Sequence, residues 1–120
     1  MIELSKSNFR EIVGTDRIVL IECWAEGCGV CRRFDPLFEK AAAAHPEHVF
    51  CRMNVLTEEN LGEFFGIEHT PALMIYRDGL LLLKKPGEFS LETLEDMIRQ
   101  VESLDMARVR DDMQQEPGQE

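Results

Sequence analysis

The sequence predicts an α/β fold, with a central mixed β-sheet of four to five strands and helices on both faces. Two observations lead to this prediction. Short apolar runs alternate with longer segments in which apolar residues recur every three or four positions, as on one face of a helix. In the second half of the chain, two apolar runs flank Arg77-Asp78-Gly79, which is typical of a β-hairpin turn. The resulting order of elements is β-α-β-α-β-α-β-β-α.

The element boundaries follow from caps and breakers. Ser5 or Ser7 is expected to cap the first helix, and Ser90 the last. The third helix is expected to start at Glu58 or Glu59. Because a helix connects the two central strands, we expect those strands to be parallel. In order, we predict strands at 2–4, 17–23, 49–55, 72–76 and 80–83, and helices at about 8–14, 28–44, 58–65 and 90–101.

Length and composition indicate one domain over residues 1–104, followed by an acidic tail over residues 105–120 that is expected to be disordered. The alternative is that Met106, Val109 and Met113 line one face of a helix that docks on the domain. The net charge of −10 argues against nucleic acid as a partner. The N-terminus lacks the basic and apolar regions of a signal peptide, and no apolar stretch is long enough to span a membrane. We therefore expect a cytoplasmic monomer without a membrane partner.

Two cysteines, Cys28 and Cys31, lie at C-x-x-C spacing where the central strand gives way to a helix. The N-terminus of a helix favours a thiolate, which is the species that attacks disulfides. The pattern therefore predicts dithiol–disulfide exchange. A structural metal site would usually need four ligands, and no second cysteine pair is present, so we expect no metal site. Cys23 and Cys51 lie in apolar strands and are expected to be core residues.

With these motifs in place, residues 1–104 resemble the thioredoxin family. The resemblance rests on several short motifs in the family's order and spacing. They are Trp24-Ala25-Glu26 before Cys28-Gly29-Val30-Cys31, Pro36 within the following helix, Phe65-Gly66-Ile67, Thr70-Pro71, Asp78-Gly79 and Gly87.

The resemblance implies the thioredoxin fold and a role for each matched residue. Cys28 would be the nucleophile and Cys31 the resolving thiol, with Pro71 in the cis form. Glu22 takes the place of the family's buried aspartate and would shuttle a proton to and from Cys31. Arg52 matches a family lysine near that acid. The residues expected to contact substrate are Trp24, Gly29, Val30, Thr70 and Gly87.

Four positions depart from the family pattern. Gly27 replaces the tryptophan before the first cysteine, and Val30 replaces the proline between the cysteines. Thr70 stands where an apolar residue is usual before the cis-proline, and His69 replaces a common glycine. Because these positions surround the expected docking surface, the substrates and reductases of other thioredoxins need not be shared.

The resemblance and the cysteine motif together imply a thiol–disulfide oxidoreductase that reduces or exchanges protein disulfides. It would need no cofactor beyond its own Cys28–Cys31 disulfide, which a thiol reductase or a low-molecular thiol would recycle. Two alternatives stay open at this point. One is a non-catalytic binding module that uses a groove at Thr70-Pro71, and the other is a dedicated electron donor to one partner enzyme.

Overall fold

The computed structural model of the protein describes residues 1–56 and 61–114. These residues form a five-stranded sheet with helices on both faces, the thioredoxin fold predicted from the sequence. The strands are β1 (Ile2–Glu3), β2 (Ile18–Trp24), β3 (Val49–Asn54), β4 (Ala72–Arg77) and β5 (Leu80–Pro86), and the helices are α1 (Phe9–Val13), α2 (Gly29–Ala44), α3 (Leu61–Phe65), α4 (Leu91–Glu102) and α5 (Met106–Gln114).

The strand order in the sheet is β1-β3-β2-β4-β5, so β2 occupies the centre. β3 runs parallel to both β1 and β2, whereas β4 runs antiparallel to β2 and to β5. The mixed sheet and the parallel pairing of the two central strands are thereby confirmed. The predicted start of the third helix at Glu58 or Glu59 lies outside the described residues.

Side chains along β2 alternate between the two faces of the sheet, as the period of a strand requires. Val19, Ile21 and Cys23 pack into a core with α1 and α3. Ile18 and Leu20 pack into a second core with α2 and α4. Because both faces are covered, the strand is apolar almost throughout, which explains the continuous apolar run in the sequence.

The helix caps match the prediction at one end of the chain only. The hydroxyl oxygen of Ser90 accepts a hydrogen bond of 3.1 Å from the backbone N–H of Thr93, so Ser90 caps α4 as predicted. The prediction that Ser5 or Ser7 caps α1 is wrong, because Asn8 precedes this helix. The Asn8 side chain accepts from the N–H of Ser5 and does not cap the first turn.

The segment after Asp105 was predicted to be disordered, and this prediction is wrong for residues 106–114, which form α5. Met106 is buried, and Arg110 forms an ion pair of 3.1 Å with Asp78 in the β4–β5 turn. Although the segment is acidic overall, its apolar residue Met106 packs against the domain. Residues 115–120 lie outside the described part, and the boundary between a domain and a tail stays a prediction.

None of the helices in the described part of the chain combines the length and the apolar character that crossing a membrane requires.

Cys23 and Cys51 are free thiols within the core, and neither has any exposed surface. Burial raises the pKa of both thiols to about 12, so they stay protonated at neutral pH. They belong to the same cluster, on the α1 and α3 face of the sheet. This placement agrees with the prediction that both residues act as core side chains.

We expect Cys23→Ala and Cys51→Ala each to lower the free energy of unfolding by about 1 kcal/mol, because each removes a buried group about the size of a methylene. Urea unfolding of the wild type and of each variant measures this. In the folded protein neither thiol should react with a thiol reagent, and both should react after unfolding. A thiol that reacts in the folded protein would contradict its assignment to the core.

Candidate active site

The two cysteines of the motif lie at the start of α2, as predicted. Cys28 is the N-cap residue and Cys31 lies in the first turn. They form a disulfide, with their Cα atoms 5.3 Å apart. The backbone N–H of Cys31 donates to the Sγ of Cys28 over 3.1 Å. Cys28 is partly exposed, whereas Cys31 is only 2% exposed, so an incoming molecule reaches Cys28 first.

Pro71 lies beside the disulfide because of the strand register. Cys23 pairs with Ala72, so the residues just before β4 reach the end of β2 where the motif begins. The Thr70–Pro71 peptide bond is cis, as predicted. The Thr70 carbonyl oxygen is 3.6 Å from the Sγ of Cys28.

The residues expected to contact substrate surround this point. The N–H of Gly87 donates to the Pro71 carbonyl over 2.8 Å, which places Gly87 on the same surface. Gly29 is exposed at the first position of α2, and Val30 is half-buried beside it. The ring of Trp24 is stacked against the guanidinium of Arg52 at 4.7 Å.

Glu22 is fully buried in the central strand, directly opposite Arg52 of β3. The Nε of Arg52 donates to one carboxyl oxygen of Glu22 over 3.3 Å. The other oxygen, Oε2, is buried without a hydrogen-bond partner. The resemblance correctly placed Arg52 beside this acid. It did not predict what surrounds the second carboxyl oxygen.

Asp35 is a residue of the site that the sequence analysis missed. It lies four positions after Cys31, on the same face of α2. Arg52 donates from Nη2 to its Oδ2 over 3.0 Å and thereby bridges Asp35 and Glu22. The other oxygen of Asp35, Oδ1, is also buried without a hydrogen-bond partner. Its position four residues after Cys31 in a predicted helix was the feature of the sequence that could have identified Asp35 as part of the site.

The protonation of Glu22 accounts for both unpartnered oxygens. The pKa of Glu22 is raised to about 9, first because burial strips its water, and next because Asp35 favours the acid form of Glu22, as an acceptor for its proton and as a nearby negative charge. Arg52 opposes this rise only in part. At neutral pH Glu22 is therefore an acid, and its proton can be shared with Asp35.

An open cleft of about 300 Å³ joins these groups to the disulfide. Glu22 itself does not line the cleft and communicates with it through Asp35 and Arg52. Gly27 lies at the rim with φ of +82°, a backbone conformation that strains any other residue. The principal lining residues are Trp24, Cys28, Cys31, Arg32, Asp35 and Arg52.

His69, which replaces a family glycine, is exposed and lines a separate small cleft with Gly66 and Lys84. That cleft does not include Cys28.

Comparison with known proteins identifies the family. The family model described as Thioredoxin matches residues 1–100. A protein named Putative thioredoxin 2, from Streptomyces coelicolor, is 41% identical over 109 residues, which cover 91% of this chain and 81% of that protein. Thioredoxin from Alicyclobacillus acidocaldarius is 31% identical over 99 residues, which cover 82% of this chain and 94% of that protein.

The fold comparison agrees with the sequence comparison. The crystal structure of Malassezia sympodialis thioredoxin superposes with a TM-score of 0.73 and 25% identity, over 83% of this chain and 90% of that chain. The disulfide between Cys28 and Cys31 supplies the chemistry that this family uses. The chain therefore belongs to the thioredoxin family and is a thiol–disulfide oxidoreductase.

Proposed function

We propose that this oxidoreductase reduces disulfide bonds of other proteins in the cytoplasm, as a monomer that cycles between dithiol and disulfide. The observation that carries the proposal is the placement of the Cys28–Cys31 disulfide at the start of α2, accessible through Cys28 and flanked by Thr70. The two unpaired thiols in the core, Cys23 and Cys51, support a reducing compartment, where free cysteines are the rule.

The proposed reaction has two exchange steps. The Cys28 thiolate attacks one sulfur of the substrate disulfide, forms a mixed disulfide and expels the other sulfur as a thiolate. Cys31 then loses its proton and attacks the Sγ of Cys28, which releases the second substrate thiolate and closes the Cys28–Cys31 disulfide. Two electrons pass to the substrate. A thiol reductase or a low-molecular thiol returns them to the protein.

The local structure supports Cys28 as the attacking group. Its Sγ stands at the N-terminus of a 16-residue helix, where unpaired N–H groups and the helix dipole favour negative charge. The N–H of Cys31, which points at this sulfur in the disulfide, would donate to the thiolate in the reduced protein. Cys31, which is buried, would react only after the mixed disulfide at Cys28 has formed.

The surface around Cys28 suits an extended segment of a substrate protein. Backbone groups at Thr70 would pair with the segment as an added strand, since main-chain hydrogen bonds tolerate many sequences. Gly29, Val30, Trp24 and Gly87 would form the walls. The net charge of −10 favours encounters with substrates and reductases that present basic surfaces.

Glu22 and Asp35 would handle the proton that Cys31 loses. A carboxyl group whose pKa is about 9 is matched to a thiol, so a proton passes between them with little free-energy difference. The ionised form of Glu22, about one molecule in a hundred at pH 7, would accept the proton through Asp35. The protonated majority would return a proton to Cys31 when a reductant reopens the disulfide.

The two alternatives are less well supported. A binding module would use the groove at Thr70-Pro71 without needing a reactive cysteine pair, and the disulfide would have no purpose there. A dedicated electron donor would use the same chemistry with one partner only. Gly27 and Val30, which differ from the family pattern beside the cysteines, are the feature that favours a small number of partner proteins.

Insulin reduction, with dithiothreitol as the recycling thiol, tests the proposed function. We expect the wild type to accelerate it and Cys28→Ser to abolish the acceleration. Cys31→Ser should lose turnover and accumulate a mixed disulfide through Cys28, visible by mass spectrometry without reductant. Cys23→Ala is the matched control and should retain the wild-type rate.

Three results would count against the proposal. A mixed disulfide carried by Cys31 in Cys28→Ser would reverse the assignment of roles. A folded, reduced wild type that neither turns over nor forms an adduct with insulin would favour the binding module. An adduct without turnover in the wild type would favour the dedicated donor.

The raised pKa of Glu22 predicts how stability depends on pH. Between about pH 4.5, where Glu22 titrates in the unfolded chain, and about pH 9, the folded state binds one proton more than the unfolded state. The contribution of Glu22 to the free energy of unfolding is therefore complete below this window and is lost as the pH rises through it. We expect wild-type stability to fall relative to Glu22→Gln by on the order of 1 kcal/mol per pH unit.

Urea unfolding of the oxidised proteins at pH 5, 6, 7 and 8 measures this difference. Glu26→Gln is the matched control, because Glu26 is exposed at the rim of the same cleft. A difference between wild type and Glu22→Gln that stays constant across the series would show that Glu22 is ionised in the folded protein.

A further inference from the structure

A cluster of two histidines and two glutamates lies far from the cysteines. We name it the histidine–glutamate cluster; its members are His45, Glu47, His48 and Glu102. His48 precedes β3, which runs parallel to β2, so the cluster is at the end of the sheet where these strands begin. The cysteines follow the opposite end of β2. The proposed exchange reaction leaves all four residues unused.

The cluster brings together side chains from three parts of the chain. His45 is the C-cap residue of α2, Glu47 and His48 belong to the loop before β3, and Glu102 ends α4. One potential ligand atom from each residue lies within 4.8 Å of all the others. Both imidazoles are largely buried, with side chains 16% and 10% exposed.

The distances within the cluster are close to those of a tetrahedral site. Glu47 Oε2 is 3.5 Å from His45 Nδ1 and 3.7 Å from His48 Nε2. His48 Nε2 is 2.7 Å from Glu102 Oε2. Nitrogen and oxygen ligands about 2.0 Å from a zinc ion, at tetrahedral angles, are about 3.3 Å apart. Of these three pairs, only His48 and Glu102 would need to separate, and Glu102 has a flexible, partly exposed side chain. The remaining pairs lie within 4.8 Å, so closing around the ion requires shifts of about 1.5 Å at most.

A fifth residue orients one of the rings. Glu95 Oε1, on α4, lies 2.6 Å from His45 Nε2. A carboxylate at this position accepts a hydrogen bond from Nε2–H and leaves the lone pair of Nδ1 facing the cluster. Carboxylates commonly orient metal-binding histidines in this way.

We propose that the histidine–glutamate cluster binds one Zn²⁺ ion. Two neutral imidazoles and two carboxylates supply four ligands of the kinds zinc prefers, and their two negative charges balance the ion. The bound ion would fasten the end of α2 and the start of β3 to the end of α4. Four protein ligands leave no open position, so the ion would stabilise the fold and take no part in thiol exchange.

This proposal departs from the sequence-based expectation of no metal site. The sequence analysis weighed ligands for the cysteine pair only. Glu102 is 54 residues beyond His48, so no short motif connects them.

Titration calorimetry with zinc chloride tests the proposal on the full chain in its oxidised form, where the Cys28–Cys31 disulfide cannot compete for the metal. We expect one equivalent to bind and the midpoint of thermal unfolding to rise with zinc. His48→Gln should weaken binding by about 100-fold or more, and Glu95→Ala by about 10- to 100-fold. Nitrogen shifts of the imidazoles should change at His45 Nδ1 and His48 Nε2.

Two matched controls separate this site from general surface binding. His69→Gln removes the remaining histidine of the sequence, and Glu92→Gln removes an exposed carboxylate from the same helix as Glu102. Both should bind zinc as the wild type does. Should His48→Gln fail to fold, Glu102→Gln at a partly exposed position provides the same test. Absence of saturable binding, or equal affinity in Glu102→Gln and Glu92→Gln, would overturn the proposal.

Discussion

Burial of β2 on both faces is the constraint on which the rest of the structure depends. The strand lies between β3 and β4, with helices on each side, so residues 18–23 are all buried. Five of these six side chains are apolar or thiol groups, and the sixth is Glu22. A carboxylate in this position loses its water, and one arginine does not compensate for that loss. The acid form is therefore stable at neutral pH.

The direction of the strands concentrates the chemistry at one end of the sheet. β2 leads into α2 at the end where the antiparallel β4 begins, so the disulfide and the cis Thr70–Pro71 bond must meet there. Two ionisable groups then lie in opposite environments. The start of α2 would favour the charged form of Cys28 in the reduced protein, whereas the core favours the neutral form of Glu22. Environments that shift the pKa values of two nearby titratable groups in opposite directions are typical of catalytic sites.

Features determined by local pattern could be predicted from the sequence, and those determined by packing could not. The run of apolar residues identified β2, and short motifs identified Cys28, Cys31 and the cis-proline. Asp35 was missed because its role depends on how α2 is rotated against the face of β2 that carries Glu22. For α5, the spacing of Met106, Val109 and Met113 is compatible with a helix, but the acidic composition of the segment favoured disorder, and only packing on the domain buries Met106.

We propose above all that Glu22 governs the proton of Cys31. Stopped-flow kinetics of one turnover at pH 8 tests it most directly, with Trp24, the single tryptophan beside the disulfide, as the fluorescent probe. Glu22→Gln should leave the first attack by Cys28 unchanged and slow resolution of the mixed disulfide by about tenfold or more. Equal resolution rates in wild type and Glu22→Gln would contradict the claim and leave Glu22 as a buried structural acid.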